Sequence, residues 1–187
     1  MIAVDIDGVV ADTEPILVKC LEEFTGEKFS PPSQRTFDFK EGFTNLSTND
    51  CLYVIDSTII SAGNDIPVID FDATYYALAV IQKTFGMVNF VTSRGENTRE
   101  VTESWIFHHF GKLNFKLYLS NDKESVMNNY GMNAIVEDRL KTVNSIRDKS
   151  KHRAFLINRE YNMGRDVCHN VTRVDGLIDV INIMNLK

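Results

Sequence analysis

The segment MIAVDIDGVV, residues 1–10, decides the fold. Its first six residues, Met1–Ile6, are mostly apolar and predict a short strand that carries Asp5, with Asp7 just beyond it. Residues two apart in an extended chain project to the same side, so the two carboxyl groups face one way. Gly8 permits the sharp turn that follows. Paired acids at the end of a strand, followed by a turn, predict a ligand site at one edge of a sheet.

The second half of the chain alternates strands with helices, a pattern that is typical of a parallel sheet. Apolar runs predict strands at 88–92, 115–119, 133–136 and 154–157. Helical periodicity covers 98–110, 124–130, 140–148 and 177–184. We therefore predict an α/β fold, a Rossmann-like doubly wound parallel sheet.

Residues 14–80 interrupt this alternation after the first strand and are mostly helical in pattern. Helices are predicted at 14–24 and 50–62, and a third at 73–85 leads back to the sheet. We predict a small helical cap over residues 14–80, inserted into a core made of residues 1–13 and 81–187.

Composition limits the function classes. The chain has 187 residues and a net charge of −6, which argues against a stable nucleic-acid partner, because such proteins present a basic face. No apolar run approaches the roughly 20 residues of a membrane span, and no basic segment of a signal peptide precedes the first apolar run. Cys20, Cys51 and Cys168 form no paired motif, so we expect thiols in a reducing, cytoplasmic compartment.

Further polar residues follow the other predicted strands. Thr92 and Ser93 end the second strand, Lys123 follows the third, and Glu137 and Asp138 end the fourth. The carboxyl ends of parallel strands meet at one sheet edge, so we expect these side chains to lie near Asp5 and Asp7.

Clustered carboxylates need a cation, because two of them about 4 Å apart repel by roughly 4 kcal/mol at an effective dielectric constant near 20. All-oxygen ligands favour a hard ion, so we predict Mg²⁺. The predicted metal residues are Asp5, Asp7, Glu137 and Asp138. The hydroxyl and amide groups of Thr92 and Ser93, with the ammonium of Lys123, complete a predicted phosphate site. The neighbouring arginines, Arg94 and Arg139, are interpreted as solvated or structural.

This ordered set resembles the motifs of the haloacid dehalogenase (HAD) superfamily of phosphotransferases. Asp5-Ile6-Asp7-Gly8-Val9-Val10 resembles the first motif, and Thr92, Lys123 and the pair Glu137-Asp138 resemble the other three. The match covers residues 1–13 and about 85–140. Glu137 stands where the superfamily usually has Asp, so either acid of the pair is a candidate direct ligand, with Asp138 favoured.

The resemblance implies a role for each residue. Asp5 would attack phosphorus and form an aspartyl-phosphate, and Asp7 would act as general acid and then as general base. Asp5, the Asp7 carbonyl and Asp138 would hold Mg²⁺. Thr92, the Ser93 backbone and Lys123 would hold the phosphoryl oxygens. The dehalogenases of the superfamily lack the second aspartate, so the resemblance favours a phosphatase.

Within the superfamily, the chain is most similar to the 5'(3')-deoxyribonucleotidases. The similar segments are DIDGVVADT at 5–13, FVTSRGENTREVTESWIFHHFG at 90–111 and FLINREYN at 155–162. This resemblance implies a small phosphomonoester substrate, a (deoxy)nucleoside monophosphate. Its base would stack on cap aromatics, for which Phe37, Phe39 and Phe43 are candidates; the alternative is that these rings form the core of the cap.

Two other functions stay open. A HAD phosphatase could act on a sugar phosphate, or on a nucleic-acid 3'-phosphate, which the acidic charge balance disfavours. A non-catalytic, phosphate-binding regulatory module is disfavoured because the chain keeps both Asp5 and Asp7 and carries a cap. The sequence leaves open the preferred base and sugar, the position of the phosphate, and whether the chain forms a homodimer.

Overall fold

A computed structural model describes residues 1–29, 39–44, 46–149, 152–168 and 171–187; the side chains of 40–41 and 147–149 are outside this description. Its strands are β1 (Ile2–Val4), β2 (Val88–Thr92), β3 (Phe115–Leu119), β4 (Ala134–Glu137), β5 (Arg153–Ile157) and β6 (Val171–Val174). Its α-helices are α1 (Glu14–Thr25), α2 (Thr48–Ala62), α3 (Phe71–Phe85), α4 (Arg99–Phe110), α5 (Lys123–Tyr130), α6 (Leu140–Lys149) and α7 (Leu177–Ile183).

The strands of this described part form one parallel sheet in the order β3-β2-β1-β4-β5-β6. The predicted doubly wound α/β fold is therefore confirmed. The chain moves outward from β1 to β3 and then returns to β4 on the other side of β1. This reversal places a crevice at the carboxyl ends of β1 and β4, where ligands bind in open α/β sheets.

One strand, β6, is absent from the sequence-based expectation. Its sequence, VTRV, holds only two apolar residues, and Thr172 and Arg173 between them are half-buried. It pairs only with β5, at the edge of the sheet. An edge strand with a polar centre gives no apolar run to detect.

Alternation of side chains divides the interior into two layers. Ile2 and Val4 face a cluster that contains the inward residues of α3 and α7, and Ala3 between them faces a cluster with Met127 and Val143. The buried strands are apolar on both sides because helices cover both faces of the sheet.

A third apolar cluster lies within the predicted cap. It joins α1 and α2 to a short 3-10 turn at Phe39–Gly42, and its members are Leu17, Leu21, Phe29, Phe39, Phe43, Leu46, Cys51 and Val54. The predicted boundary at residue 80 falls inside α3, whose Ala77 and Leu78 pack in the cluster of the sheet. The division into core and cap stays a prediction. Within the described residues, no helix has the length and apolar character that a bilayer crossing requires.

Trp105 of α4 fixes the segment that returns from the cap to the sheet. The indole is fully buried, and its Nε1 donates a hydrogen bond of 2.7 Å to the carbonyl oxygen of Ile66.

We expect Trp105→Ala to lower the free energy of unfolding by about 3–5 kcal/mol, since it empties a large buried volume. Urea denaturation measures this. Phe107→Ala, at a ring that is 68% exposed on the same helix, serves as the control and should change little; equal effects of the two variants would contradict the assignment.

Candidate active site

The structure brings the predicted strand-end residues together at the crevice. Asp5 follows β1, Thr92 ends β2, Lys123 begins α5 after β3, and Glu137 and Asp138 lie at the end of β4. All five are buried, with exposed fractions of 4% or less. Burying this many charged groups is costly unless they are paired, so their contacts decide what the site can do.

The turn after β1 aims the first two acids. The Asp5 carboxylate accepts a hydrogen bond of 2.8 Å from the amide of Ile6, and the amides of Val10 and Ala11 both donate to the Ile6 carbonyl at 2.8 Å. Gly8 adopts a positive φ of 74° inside this turn. A Cβ atom there would lie 2.1 Å from Oδ2 of Asp138, so only glycine lets the turn approach that carboxylate.

Lys123 is the cation at the centre of the acids. Its Nζ lies 2.7 Å from Oδ2 of Asp5 and 2.6 Å from Oε2 of Glu137. Burial alone would lower the pKa of this ammonium, but the carboxylates of Asp5 and Glu137 outweigh burial and raise it. Lys123 therefore stays charged. Lys123 is not among the residues that line the crevice, and its role in phosphate binding stays a prediction.

One ammonium does not balance the acids around it. Burial, together with the charges of Glu137 and Asp7, raises the pKa of Asp5 to about 8 despite the nearby Lys123. Burial also raises the pKa of Glu137, and burial with the charge of Asp5 raises that of Asp138 to about 6. All three acids hold protons more tightly than usual, which is the behaviour of a site that lacks positive charge.

The same acids fit a magnesium ion. Oxygen atoms of Asp5, Glu137 and Asp138 lie within 4.8 Å of one another, and all three residues are buried. Oδ1 of Asp138 is buried and has no hydrogen-bond partner among the described residues. An orphaned carboxylate oxygen in an all-oxygen group suits Mg²⁺, which binds hard oxygen ligands. The carboxylate of Asp7 lies outside this group and pairs elsewhere.

Arg94 is the partner of Asp7. Its Nε and Nη2 donate to the two carboxylate oxygens of Asp7 at 2.9 and 2.7 Å, and its Nη1 donates to Oγ1 of Thr102 at 3.0 Å. Burial would raise the pKa of Asp7, but the Arg94 guanidinium outweighs burial and holds that pKa below its usual range. Only 1% of the Arg94 side chain is exposed, so of the two interpretations of Arg94, solvated or structural, the structure supports the structural one. Its place directly after Thr92 and Ser93, at the same sheet edge as Asp7, was the available signal.

Thr92 and Ser93 line the crevice beside the acids, and Arg139 lines it from the end of β4. The amide of Arg94 donates to Oγ1 of Thr92 at 3.3 Å, which fixes the loop that carries both predicted phosphate donors. Their role in phosphate binding stays a prediction.

The crevice is part of a cleft of about 720 Å³ that lies between the strand ends and the helices α1 and α2. This volume falls within the range of small-molecule sites. Asp5, Asp7 and Asp138 line its polar side, and α1, the 3-10 turn and α2 supply an apolar wall from Leu17, Phe39, Cys51, Leu52, Ile55 and Ile59.

The three aromatic residues that were predicted to contact a base differ in how they stand to the cleft. Phe39 lines the cleft, although only 4% of it is exposed. Phe43 does not line it; its ring stacks on Phe29 at 4.6 Å inside the cap cluster, so one ring face is already covered. Phe37 lies outside the described residues. The contact of these rings with a base stays a prediction, and the geometry leaves Phe39 as its best candidate.

The raised pKa of Asp5 predicts how stability depends on pH. The pKa of Asp5 in the folded chain, about 8, exceeds its ordinary value of 3.8, so the favourable contribution to stability is complete below about pH 4 and is lost as the pH rises through 8. We expect Asp5→Asn to flatten the loss of thermal stability between pH 5 and pH 8 in metal-free buffer, and Mg²⁺ to restore stability at pH 8 only in the proteins that keep Asp5. Asp12→Asn, at an exposed acid, is the control. Parallel pH curves for all three proteins would contradict the raised pKa of Asp5.

Comparison with known proteins identifies the fold. No protein-family model matches the chain, and no curated protein matches it in sequence. Solved structures do match in three dimensions. CbbY from Rhodobacter sphaeroides, in complex with phosphate, is 10% identical with a TM-score of 0.68, and the match covers 96% of this chain and 95% of CbbY.

Two further solved structures also match this chain in three dimensions. A HAD family hydrolase from Deinococcus radiodurans, with bound phosphate and sodium, is 11% identical with a TM-score of 0.59; the match covers 98% of this chain and 93% of that one. YfnB from Bacillus subtilis, described as a HAD-hydrolase and bound to magnesium, is 14% identical with a TM-score of 0.60, covering 99% and 98%. A mutant form of CbbY was solved with xylulose-1,5-bisphosphate. With its six-stranded parallel sheet and its acids at the switch point, the chain has the fold of the haloacid dehalogenase hydrolases.

Proposed function

We propose that this protein is a Mg²⁺-dependent phosphomonoesterase that works through a phosphorylated Asp5. The observation that carries the proposal is the buried group of Asp5, Lys123, Glu137 and Asp138 at the switch point of a HAD fold. Asp5 lies at the floor of an open cleft, where a phosphoryl group could reach it. Mg²⁺, when bound by the acids, would neutralise charge on the transferring phosphoryl group.

In the first step, a carboxylate oxygen of Asp5 attacks phosphorus and forms the aspartyl-phosphate. The bond between phosphorus and the ester oxygen breaks, and a proton from Asp7 moves to that oxygen to release an alcohol. Thr92 and the Ser93 amide, both at the cleft, would bind the phosphoryl oxygens. Lys123, whose Nζ lies 2.7 Å from Oδ2 of Asp5, would orient the Asp5 carboxylate for attack.

In the second step, water attacks the phosphorus of the aspartyl-phosphate. Asp7 accepts a proton from this water, the acyl phosphate bond breaks, and inorganic phosphate leaves with Asp5 restored as a carboxylate. The pairing of Asp7 with Arg94 favours the ionised form of Asp7, which is the form that this step requires.

The proposed substrate is a (deoxy)nucleoside monophosphate. The cleft joins a polar floor to an apolar cap wall, so a phosphate could bind at one end while a base packs on Phe39, Leu52 and Ile55 at the other. The similarity of segments 5–13, 90–111 and 155–162 to the deoxyribonucleotidases supports the same substrate.

A sugar phosphate is the second candidate. Polar side chains that can bind sugar hydroxyl groups, Asp56, Glu96, Ser120 and Asn121, line the same cleft. The complex of CbbY with a sugar bisphosphate shows that the shared fold accommodates such ligands in that protein.

Phosphate release tests the proposed activity. We expect release from a panel of 5'- and 3'-ribo- and deoxyribonucleotides and sugar phosphates to require Mg²⁺. Asp5→Asn should lower kcat by about 10³-fold or more, as loss of a covalent nucleophile does. Asp12→Asn is the matched control for an acid outside the site. Full activity of Asp5→Asn, or no Mg²⁺-dependent release from any member of the panel, would contradict the proposal.

The variant Phe39→Leu should distinguish nucleotides from sugar phosphates as substrates. It removes the ring on which a base would stack but keeps an apolar side chain in the cap cluster. Stacking of a base on an aromatic ring contributes about 1–3 kcal/mol, so we expect KM for nucleotides to rise by roughly tenfold. The KM for sugar phosphates should stay near its original value. Phe43→Leu, inside the same cluster but away from the cleft, is the matched control. Equal changes in both variants, or on both substrate classes, would contradict a base contact at Phe39.

A further inference from the structure

Tyr161 contacts the acid with the orphaned oxygen. It lies in the turn after β5, and its hydroxyl donates a hydrogen bond to Oδ2 of Asp138. Only 3% of Tyr161 is exposed. Burial and the neighbouring charge of Asp138 raise the pKa of the Tyr161 hydroxyl, so it remains a neutral donor.

Neighbouring residues hold this turn rigidly in place. Nδ2 of Asn162 donates to the carbonyl oxygens of Asp138 and Ile157, each at 2.8 Å. Arg173 of β6 in turn donates to the Asn162 side chain at 3.2 Å and to its carbonyl at 2.9 Å. The backbone and the side chain of Asp138 are therefore both fixed by one anchored turn.

Gly8 lies close to the Asp138 carboxylate and the Tyr161 hydroxyl. A Cβ atom at residue 8 would lie 2.1 Å from Oδ2 of Asp138 and 2.8 Å from the Tyr161 hydroxyl oxygen. Nε of Arg159, from the same turn as Tyr161, donates to the Gly8 carbonyl at 2.7 Å. The Asp138 carboxylate thus has little room to rotate, and its orientation is set by the hydrogen bond to Tyr161.

The two oxygens of Asp138 differ as a result. Oδ2 is occupied by the Tyr161 hydroxyl, whereas Oδ1 is buried with no partner among the described residues. A buried acceptor without a partner costs free energy, and a bound cation would satisfy it. Groups that hydrogen-bond to a ligating carboxylate orient it toward the metal.

We propose that Tyr161 is a positioning residue that presents a single oxygen of Asp138 to the magnesium ion. This inference rests on the magnesium site of the proposed function. Tyr161 is not among the residues that line the cleft, so it would act through Asp138, and Asn162 and Arg173 would act through the turn that carries Tyr161. Loss of the Tyr161 hydroxyl should therefore lower the affinity of the protein for Mg²⁺.

Titration of Mg²⁺ into the substrate-free protein by calorimetry tests the proposal. We expect Tyr161→Phe, which removes only the hydroxyl, to raise Kd for Mg²⁺ by about 10–100-fold, the usual effect of losing a group that supports a metal ligand. In assays, kcat should recover at saturating Mg²⁺. Tyr130→Phe is the matched control, because Tyr130 is half-exposed and packs on Tyr118 away from the acids.

An unchanged Kd in folded Tyr161→Phe would overturn the proposal, as would a fall in kcat that saturating Mg²⁺ does not repair. Circular dichroism establishes folding. Should Tyr161→Phe fail to fold, Arg173→Lys loosens the same turn through Asn162, and an unchanged Kd in that variant would also count against the proposal. Failure of the proposed function has a separate signature: the unmodified chain would bind Mg²⁺ and release no phosphate.

Discussion

The ion pair network around Lys123 is the interaction on which the site depends. A single buried ammonium lies between Asp5 and Glu137, at 2.7 and 2.6 Å, and Asp138 adds a further buried carboxyl beside them. Burying such a network costs more than its own attraction returns unless further partners complete it. Burial and the shortage of positive charge together raise the pKa values of these carboxyls, and a divalent cation bound there would supply the missing charge.

The rest of the structure keeps these charges in position. Topology brings the ends of β1 and β4 side by side, and Gly8 lets the turn after β1 approach Asp138. Arg94 holds Asp7 apart from the other acids, so that two aspartates only two residues apart experience opposite pKa shifts. In the proposed reaction, a bound Mg²⁺ would favour the ionised form of Asp5 that attacks phosphorus, and Arg94 stabilises the ionised form in which Asp7 accepts a proton.

The sequence predicts most of this arrangement because the ends of the apolar strands follow from periodicity, and the acids stand at those ends. The contacts of Arg94 and Tyr161 were not predicted from the sequence, for a physical reason. Each acts through a contact between residues far apart in the chain, Arg94 with Asp7 and Tyr161 with Asp138, and a position near a strand end does not show which of the residues there will pair. Phe39 and Phe43 look alike in sequence, and only packing separates the ring at the cleft from the ring stacked on Phe29.

The most direct test of the central claim is to trap the phosphorylated protein. The unmodified chain is mixed with Mg²⁺ and a phosphomonoester that it hydrolyses, quenched rapidly in acid, digested, and analysed by mass spectrometry. The account predicts one added phosphoryl group on the peptide that carries Asp5, lost again when the quench is delayed beyond substrate exhaustion. A phosphoryl group on any other residue, or turnover with no phosphorylated peptide at any quench time, would contradict it.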